Sequence, residues 1–264
     1  MSELRPLDAD ALRVGLPPPW RRLDVVAETG STNADLLSRA ADGEDVDGAV
    51  LIAEHQTAGR GRHGRTWTAT PRTQITMSVG IAAGDVPTDA WGWLTLATGV
   101  AVVDAVMAQT HVAAALKWPN DVLAGGGKLA GILSEVYPPS LIVVGVGLNI
   151  ALRDDDLPDP AATSLTQLGV ASPDRERLIG SLLHELGDRV SSWRAAGGAD
   201  DGLMRDYADH SLTIGSQVRV LLPGGRELTG LARSVDERGR LMVDEVDGDT
   251  VAVSAGDVVH LRPN

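Results

Sequence analysis

Glycine and arginine alternate in residues 59–65, which read GRGRHGR and are followed by Thr66 and Trp67. Glycine lets the backbone approach a ligand closely, and it makes a loop costly to order until something binds. Arginine supplies planar donor groups that match carboxylates and phosphates. We expect this loop to close over a phosphate-bearing ligand. A solvated basic loop, with Trp67 buried in the core, is the alternative interpretation.

Residues 117–121, KWPND, place a lysine, an amide and a carboxylate at the end of a predicted strand. This grouping suits a polar ligand site, and the alternative is a turn in which Asn120 or Asp121 caps the strand. Lys128 follows in GKLAGILSE, residues 127–135. Strand alternation predicts that Lys128 shares a face with Ala130 and Ile132. A lysine at a strand end is commonly exposed, so spacing alone assigns it no role.

A fourth segment, GVGLNI at residues 145–150, reads as a strand with two glycines. Alternation places Gly145, Gly147 and Asn149 on one face and the apolar residues on the other. Missing side chains weaken a strand, so we expect a flat ligand or another backbone to lie against the gap. Tight packing or a bulge is the alternative. No helix-opening GxGxxG follows, so this segment is not a dinucleotide-binding fingerprint.

The composition limits the classes of protein that fit. The chain has 264 residues, 43% hydrophobic and 22% charged, as in ordinary globular proteins. It has no cysteine, which excludes disulfides, cysteine-bound zinc and cysteine thioesters. Its net charge of −13 disfavours nonspecific binding to nucleic acid. No uninterrupted apolar run reaches about 18 residues, and no secretion signal precedes the first strand. We therefore expect a cytoplasmic protein with no DNA, RNA or membrane partner.

The hydrophobic pattern predicts the elements that position these segments. Ser31 or Thr32 is predicted to cap a helix, and Ser172 followed by Pro173 is predicted to begin another. Two strand-like runs joined by residues 137–140 predict an antiparallel hairpin. The predicted elements of the first part of the chain are strands at 49–53, 74–81, 129–136 and 141–150 and a buried helix at 91–109.

From residue 211 the chain changes to short apolar runs, at 218–222, 228–234, 241–244, 250–253 and 258–261, separated by turns at 223–225, 237–239 and 247–249. This spacing predicts a small β-barrel of about 50 residues. We therefore divide the chain into an irregular leader at 1–22, a mixed α/β catalytic body at 23–210 and an all-β domain at 211–264.

Together and in this order, GRGRHGRTW, KWPNDV, GKLAGILSE and GVGLN resemble the biotin–protein ligase family. The resemblance covers residues 30–150 closely and extends in outline to the C-terminal domain. It implies an α+β fold, with a mixed β-sheet packed with helices as in class II aminoacyl-tRNA synthetases and a C-terminal SH3-like β-barrel.

The resemblance also implies an ATP-dependent reaction in two steps. Biotin and ATP form biotinyl-AMP and pyrophosphate, and the amine of an acceptor lysine then forms an amide and releases AMP. The implied partner is a biotin carboxyl carrier domain of an acyl-CoA carboxylase. The implied small molecules are biotin, ATP and Mg²⁺, and the sequence shows no pattern for the metal ligands.

The resemblance gives each motif an expected role. Two anions meet in the first step, so Lys128, Arg60 and Arg62 are expected to supply the cations, and Asp121 to orient or deprotonate the incoming amine. The expected biotin-binding residues are Ser31, Thr32, Asn33, Gln56, Arg60, Gly61, Arg62 and Lys128. The expected nucleotide-binding residues are Arg65, Trp67, Lys117, Asn120, Gly145, Gly147 and Asn149.

Two other functions share parts of this pattern. Octanoyl transfer on a related fold needs a cysteine, which the chain lacks, and the glycine-rich motif of lipoate ligases has no match here. A regulator that binds biotin or nucleotide without catalysis is the second alternative, and the paired cations favour adenylation over it. Some relatives carry an N-terminal helix-turn-helix domain. Only about 30 residues precede the first motif, so we expect a ligase without that domain.

Overall fold

We analysed a computed structural model of the chain, which describes residues 4–68, 70–152, 161–222, 224–245 and 248–261. Of the predicted turn residues, Pro223 and Asp247 lie outside these ranges.

The centre of the molecule is a seven-stranded sheet in the order β1-β2-β5-β9-β8-β7-β6. The pair β1 and β2 is parallel, whereas the other neighbours are antiparallel, so the sheet is mixed as predicted. A separate two-stranded hairpin, β3 with β4, lies within the glycine- and arginine-rich loop. The bounds of these strands are β1 Arg22–Val26, β2 Ala49–Ala53, β3 Gly59–Arg60, β4 Thr66–Trp67, β5 Gln74–Ala82, β6 Ala114–Lys117, β7 Asp121–Ala124, β8 Gly127–Tyr137 and β9 Leu141–Asn149.

In the described part of the chain, α1, α2, α3 and α5 contact strands of this sheet and α4 packs on α3. Their bounds are α1 Ala9–Val14, α2 Thr32–Ala41, α3 Gly92–Thr110, α4 Arg175–Ala196 and α5 Asp201–His210. The central helix α3 is apolar on nearly all of its surface, because the sheet, α4 and α5 surround it. Residues Thr88–Thr110 are long and apolar enough to cross a membrane, yet 72% of their most apolar window is buried inside the protein. This burial is that of a core helix.

The C-terminal part forms a five-stranded antiparallel sheet in the order β13-β12-β11-β10-β14. Its strands alternate between exposed and buried residues, as expected of a sheet with one face on a core. The predicted α+β class with a small C-terminal all-β domain is confirmed. The bounds are β10 Gln217–Leu221, β11 Glu227–Val235, β12 Leu241–Glu245, β13 Thr250–Val253 and β14 Asp257–His260.

Strand β5 carries one apolar and one polar face, and both are buried. Ile75, Met77, Val79 and Ile81 belong to the main hydrophobic core. The opposite face presents Gln74, Thr76 and Ser78, each at most 3% exposed. Buried polar groups require hydrogen-bond partners. We therefore expect a polar site on this side of the sheet.

The described part of the predicted irregular leader, residues 4–22, is not irregular throughout. It contains α1, whose Asp8 cap accepts hydrogen bonds from Asp10 N and Ala11 N. Leu12 and Trp20 are 7% and 5% exposed and join the main core, so packing against the body stabilises a helix too short to be stable alone.

The helix predicted with Ser172 as N-cap and Pro173 as its first residue begins two residues later, at Arg175. Asp174 is the N-cap of α4, and its carboxylate accepts a hydrogen bond from Arg177 N. Both serine and aspartate are strong N-cap residues, so sequence preference did not distinguish between them.

Candidate active site

A cavity of about 470 Å³ opens on the polar face of the seven-stranded sheet. Every residue for which the sequence predicted a site role lines it, although these residues come from five separate segments. They are Ser31, Thr32, Asn33, Gln56, Arg60, Gly61, Arg62, Arg65, Trp67, Lys117, Asn120, Asp121, Lys128, Gly145, Gly147 and Asn149.

Neutral hydrogen-bonding groups line one end of the cavity. Ser31 caps α2, and this places Thr32 and Asn33 in the first turn with their side chains buried. Gln56 Oε1 accepts hydrogen bonds from Thr32 N at 2.8 Å and Thr32 Oγ1 at 3.1 Å. Ser78 Oγ lies 2.6 Å from both Thr32 Oγ1 and Asn33 Oδ1. These bonds fix polar atoms that suit an uncharged ring with its own donors and acceptors.

The other walls are strongly cationic. Among the residues that the structure describes, five cations and two carboxylates line the cavity: Arg60, Arg62, Arg65, Lys117 and Lys128 against Asp121 and Asp257. The local balance of five against two is opposite in sign to the net charge of −13 for the whole chain. Positive side chains concentrated in a cleft raise the local concentration of an anionic ligand.

The glycine- and arginine-rich loop is held at both ends by carboxylates. Arg60 Nη2 lies 3.1 Å from Glu135 Oε2, and the same oxygen accepts a 2.9 Å hydrogen bond from Asn33 Nδ2. At the other end Arg65 is ion-paired with Asp257 of β14. The C-terminal domain therefore contributes directly to the arrangement of this loop.

Arg62 lies between the loop, the β6–β7 turn and the C-terminal domain. Its Nη1 donates a 3.0 Å hydrogen bond to Asn120 Oδ1, and its Nη2 donates to the Gly256 carbonyl at 3.2 Å. Burial lowers the pKa of Arg62 below its usual value, while the charges of Asp257 and Asp121 oppose this change. A guanidinium remains charged despite such a shift, so Arg62 presents a partly desolvated positive charge.

Lys128 points to the opposite face from the one predicted. Between Val122 and Leu123 the register of β7 with β8 shifts by one residue, because β8 contains an extra residue, Leu129. Such a bulge reverses the alternation beyond it. A Cβ on Gly131 would lie 3.3 Å from Lys128 Cε, so lysine and glycine share the cavity face. Lys128 Nζ lies 2.6 Å from Asp121 Oδ1 and 5.7 Å from the centroid of the Trp67 ring.

The gap above Gly145 and Gly147 is filled by the protein's own side chains. A Cβ on Gly147 would lie 2.4 Å from Trp67 Cε2, and a Cβ on Gly145 would lie 2.3 Å from Asn33 Oδ1. Both distances are shorter than any real contact, so only glycine fits. The expected ligand or backbone does not lie against these two glycines. The alternative, tight packing, is what the structure shows, with Trp67 and Asn33 as the packing side chains.

The turn at residues 117–121 is fastened to the C-terminal domain through Trp118. Trp118 N donates to Thr213 Oγ1 at 3.0 Å, and the indole Nε1 donates to the Gly239 carbonyl at 3.2 Å. Thr213 Oγ1 also lies 3.0 Å from His260 Nε2. Burial lowers the pKa of His260, and the charge of Lys117 lowers it further. Both effects favour the neutral form of His260.

Sequence reasoning missed four residues that organise the site. Three of them contact predicted site residues directly. The ion pair joins Glu135 to Arg60, and hydrogen bonds join Ser78 to Asn33 and Gln74 to Asn149. The alternation of Gln74, Thr76 and Ser78 within an apolar strand was a signal for two of them. Asp257 lies 192 residues along the chain from Arg65, and no local pattern connects the two.

Comparison with known proteins agrees with this geometry. Residues 28–149 match the biotin/lipoate A/B protein ligase family, and residues 213–261 match the biotin protein ligase C-terminal domain. The chain is 60% identical to the biotin–[acetyl-CoA-carboxylase] ligase of Mycobacterium tuberculosis, over 97% of each chain. This chain belongs to the biotin protein ligase family. It is also 32% identical to the bifunctional ligase/repressor BirA of Bacillus spizizenii, over 85% of this chain and 69% of that one.

Solved biotin protein ligases share the fold. The enzyme from Aquifex aeolicus in complex with biotin and ATP superposes with a TM-score of 0.78 at 24% identity, covering 92% of this chain and all of that one. The enzyme from Leishmania major in complex with biotinyl-5-AMP gives a TM-score of 0.62 at 28% identity, covering 90% of this chain and 100% of that one. The family assignment inferred from the four motifs is confirmed.

The loop at residues 59–65 is predicted to be more mobile without ligand than with biotinyl-AMP. Several of its side chains are exposed, and Arg60 and Arg65 each pair with a carboxylate. A bound anion would give the arginines of the loop a further ionic contact. Limited trypsin digestion should cleave at Arg60, Arg62 or Arg65 at least about fivefold more slowly with the ligand. A tenfold change in the population of the cleavable loop conformation needs only about 1.4 kcal/mol, so a small stabilisation of the loop by the ligand is sufficient. Equal cleavage rates with and without ligand would contradict this prediction.

Proposed function

We propose that this protein catalyses ATP-dependent biotinylation of a lysine on a biotin carboxyl carrier domain, through biotinyl-AMP. One observation carries the proposal: cations from the loop and from β8 converge on a cavity whose other end is lined by neutral hydrogen-bonding groups. The relative from Mycobacterium tuberculosis is a biotin–[acetyl-CoA-carboxylase] ligase. Its 60% identity over nearly the full length supports the same activity here.

The neutral end suits the ureido ring of biotin. A cyclic urea has an acceptor oxygen and two N–H donors and carries no charge, so it requires partners of both kinds. Ser31, Thr32 and Gln56 supply such groups in a fixed arrangement, because Thr32 N and Oγ1 both bond to Gln56 Oε1. In this arrangement the biotin carboxylate extends towards Arg60, Arg62 and Lys128.

The first half-reaction joins a carboxylate to the α-phosphate of ATP. Two anions must approach each other, and charge accumulates on the phosphate oxygens as pyrophosphate leaves. Lys128 and Arg62 bring fixed cations to that point. They need little rearrangement, since Asn120, Gly256 and Asp121 already hold them. Preorganised cations of this kind stabilise the transition state more than the ground state.

The nucleotide lies next to Trp67 and Asn149 in this proposal. The Trp67 ring lies against Gly147 and also lines the cavity, where adenine can stack on it. Arg65, Lys117 and Asn120 line the same region and supply donors to the phosphates. Mg²⁺ would be held mainly by the ATP phosphates and water. The two cavity carboxylates, Asp121 and Asp257, are ion-paired, and the described residues contain no cluster of three metal-binding side chains.

In the second half-reaction a lysine amine attacks the mixed anhydride. The amine must lose a proton, and Asp121 is the cavity carboxylate closest to Lys128. We propose that Asp121 orients the amine and accepts the proton once the bound intermediate attracts Lys128 away from it. AMP leaves as the amide forms.

The decisive experiment is biotin-dependent release of pyrophosphate from ATP, followed by transfer of labelled biotin to a purified carrier domain. We expect both steps with the wild-type protein, and transfer only to a carrier that retains its acceptor lysine. Release that is independent of biotin, or that occurs with lipoate in its place, would overturn the proposal.

A further inference from the structure

Gln74 is the buried polar residue at the start of β5 that the proposed reaction does not use. It is 3% exposed and does not line the cavity. Its amide nevertheless contacts two cavity residues on opposite sides. A buried amide with partners on both sides is a rigid connection, because each lost hydrogen bond would leave an unpaired polar atom in the interior.

The orientation of the Gln74 amide is set by its partners. The indole Nε1 of Trp67 can only donate, and it lies 2.9 Å from Gln74 Oε1. The amide nitrogen therefore points the other way, where Nε2 donates to Asn149 Oδ1 at 3.0 Å and to the Thr68 carbonyl at 3.1 Å. A flipped amide would place two donors against each other at Trp67, so a single orientation satisfies all three bonds.

The connection continues from Asn149 to the strand that carries Lys128. Asn149 Nδ2 donates to the Lys128 carbonyl at 3.2 Å and to the Thr163 carbonyl at 2.9 Å. With Oδ1 accepting from Gln74, both ends of the Asn149 amide are fixed as well. A continuous buried chain of hydrogen bonds therefore runs from the Trp67 ring through Gln74 and Asn149 to the backbone of Lys128.

Packing and a hydrogen bond together hold the Trp67 ring. Added Cβ atoms on Gly147 and Gly131 would lie 2.4 Å and 3.1 Å from ring atoms, so the ring lies against both glycines. The ring also borders the cavity, and its centroid lies 5.7 Å from Lys128 Nζ. The hydrogen bond from the indole Nε1 to Gln74 adds a directional contact to this packing.

We infer that Gln74 is a positioning residue for the nucleotide: it orients Trp67 and Asn149 together, so that the stacking face and the neighbouring amide are set before ATP arrives. The inference rests on the proposed function. It assigns Gln74 no contact with substrate. Binding to a preorganised site costs less conformational entropy than binding to one that must first be ordered. Loss of Gln74 should thus weaken nucleotide binding and leave biotin binding at the other end unchanged.

The test compares Gln74→Leu, Gln74→Asn and Gln74→Glu with the wild type. Leucine keeps the approximate volume and removes every hydrogen bond. Asparagine keeps the amide on a shorter chain, and glutamate keeps the acceptor for Trp67 but loses the donor to Asn149. We expect Gln74→Leu to raise KM for ATP about tenfold and KM for biotin less than twofold. Gln74→Glu should fall between leucine and wild type.

Thr76→Val is the matched control, since Thr76 is equally buried on the same face of β5 but donates to the Ala53 carbonyl. It should leave both KM values within twofold. A second readout is independent of catalysis: binding of ATP to the unliganded protein by calorimetry, together with the acrylamide quenching of Trp67 measured against Trp67→Phe. Gln74→Leu should expose Trp67 to quencher.

The outcomes separate the inference from the proposed function. If the wild type releases no pyrophosphate with biotin, the proposed function fails, while the quenching comparison still tests the coupling of Gln74 to Trp67. If the wild type is active and Gln74→Leu raises both KM values equally, or leaves KM for ATP and the quenching unchanged, the inference is wrong. If Gln74→Leu does not fold, Gln74→Asn and Gln74→Glu give the same comparison.

Discussion

Replacement of Lys128 by alanine should lower the rate of adenylate formation about 10²–10³-fold, because a preorganised charge at the point where two anions react would be lost. The folded state should change little. The Lys128 side chain is 34% exposed and its Nζ lies 2.6 Å from Asp121 Oδ1, and partly exposed pairs of this kind contribute about 0–1 kcal/mol. Biotin-dependent exchange of pyrophosphate into ATP measures the first effect, and urea denaturation measures the second.

The double variant Lys128→Ala with Asp121→Asn distinguishes catalysis from simple neutralisation of Asp121. If Lys128 served only to balance that carboxylate, removal of both charges would restore activity. We expect no restoration. Arg219→Ala is the control for loss of one surface cation, since Arg219 pairs with Glu227 on the C-terminal sheet at 3.7 Å. A parallel loss of stability and activity in Lys128→Ala would assign the lysine a structural role.

Arg175→Ala should reduce the free energy of unfolding by about 3–5 kcal/mol, because it leaves the Glu54 carboxylate buried without a counter-charge. The two side chains are 5% and 9% exposed and meet at 2.6 Å. Arg175 also donates to the Arg5 carbonyl, and Glu54 accepts from Leu7 N, so the pair ties the N-terminal segment to α4 and to the end of β2. Urea denaturation provides the measurement.

Arg177→Ala, two residues further along α4, is the matched control. Its pair with Asp174 is exposed, at 78% and 42%, so its loss should cost less than about 1 kcal/mol. The double variant Arg175→Met with Glu54→Leu removes both charges and should lose only about 1–3 kcal/mol, mainly from the unpaired backbone groups of Arg5 and Leu7. A double variant as unstable as Arg175→Ala would show that the ion pair is not the cause.

The four motifs were readable from the sequence because each brings its chemistry within a few consecutive residues. The arginines of the loop, the lysine and amide of residues 117–121 and the glycines of β9 need no distant partner to be recognised as unusual. The N-cap role of Ser31 was also readable, since an N-cap bonds to a backbone group three residues ahead. Apolar runs of strand and helix length indicated the main strands and the buried helix α3.

The helix α1 was missed for the opposite reason. Its six residues have little intrinsic stability, and it persists because Leu12 packs into a core formed by residues far along the chain. The N-cap of α4 was missed because Ser172 and Asp174 are both favourable N-cap residues, and local preference could not separate them.

By itself the sequence determined which chemical groups this protein brings to a ligand: arginines on a glycine-rich loop, lysines, amides and a strand with two glycines on one face. Only the tertiary structure decided where those groups point. A bulge opposite β7 turns Lys128 into the cavity, Trp67 fills the space above Gly147, and Asp257 of the C-terminal domain holds Arg65. The physical reason is that side-chain direction in a sheet follows strand register, and register depends on pairing between distant segments.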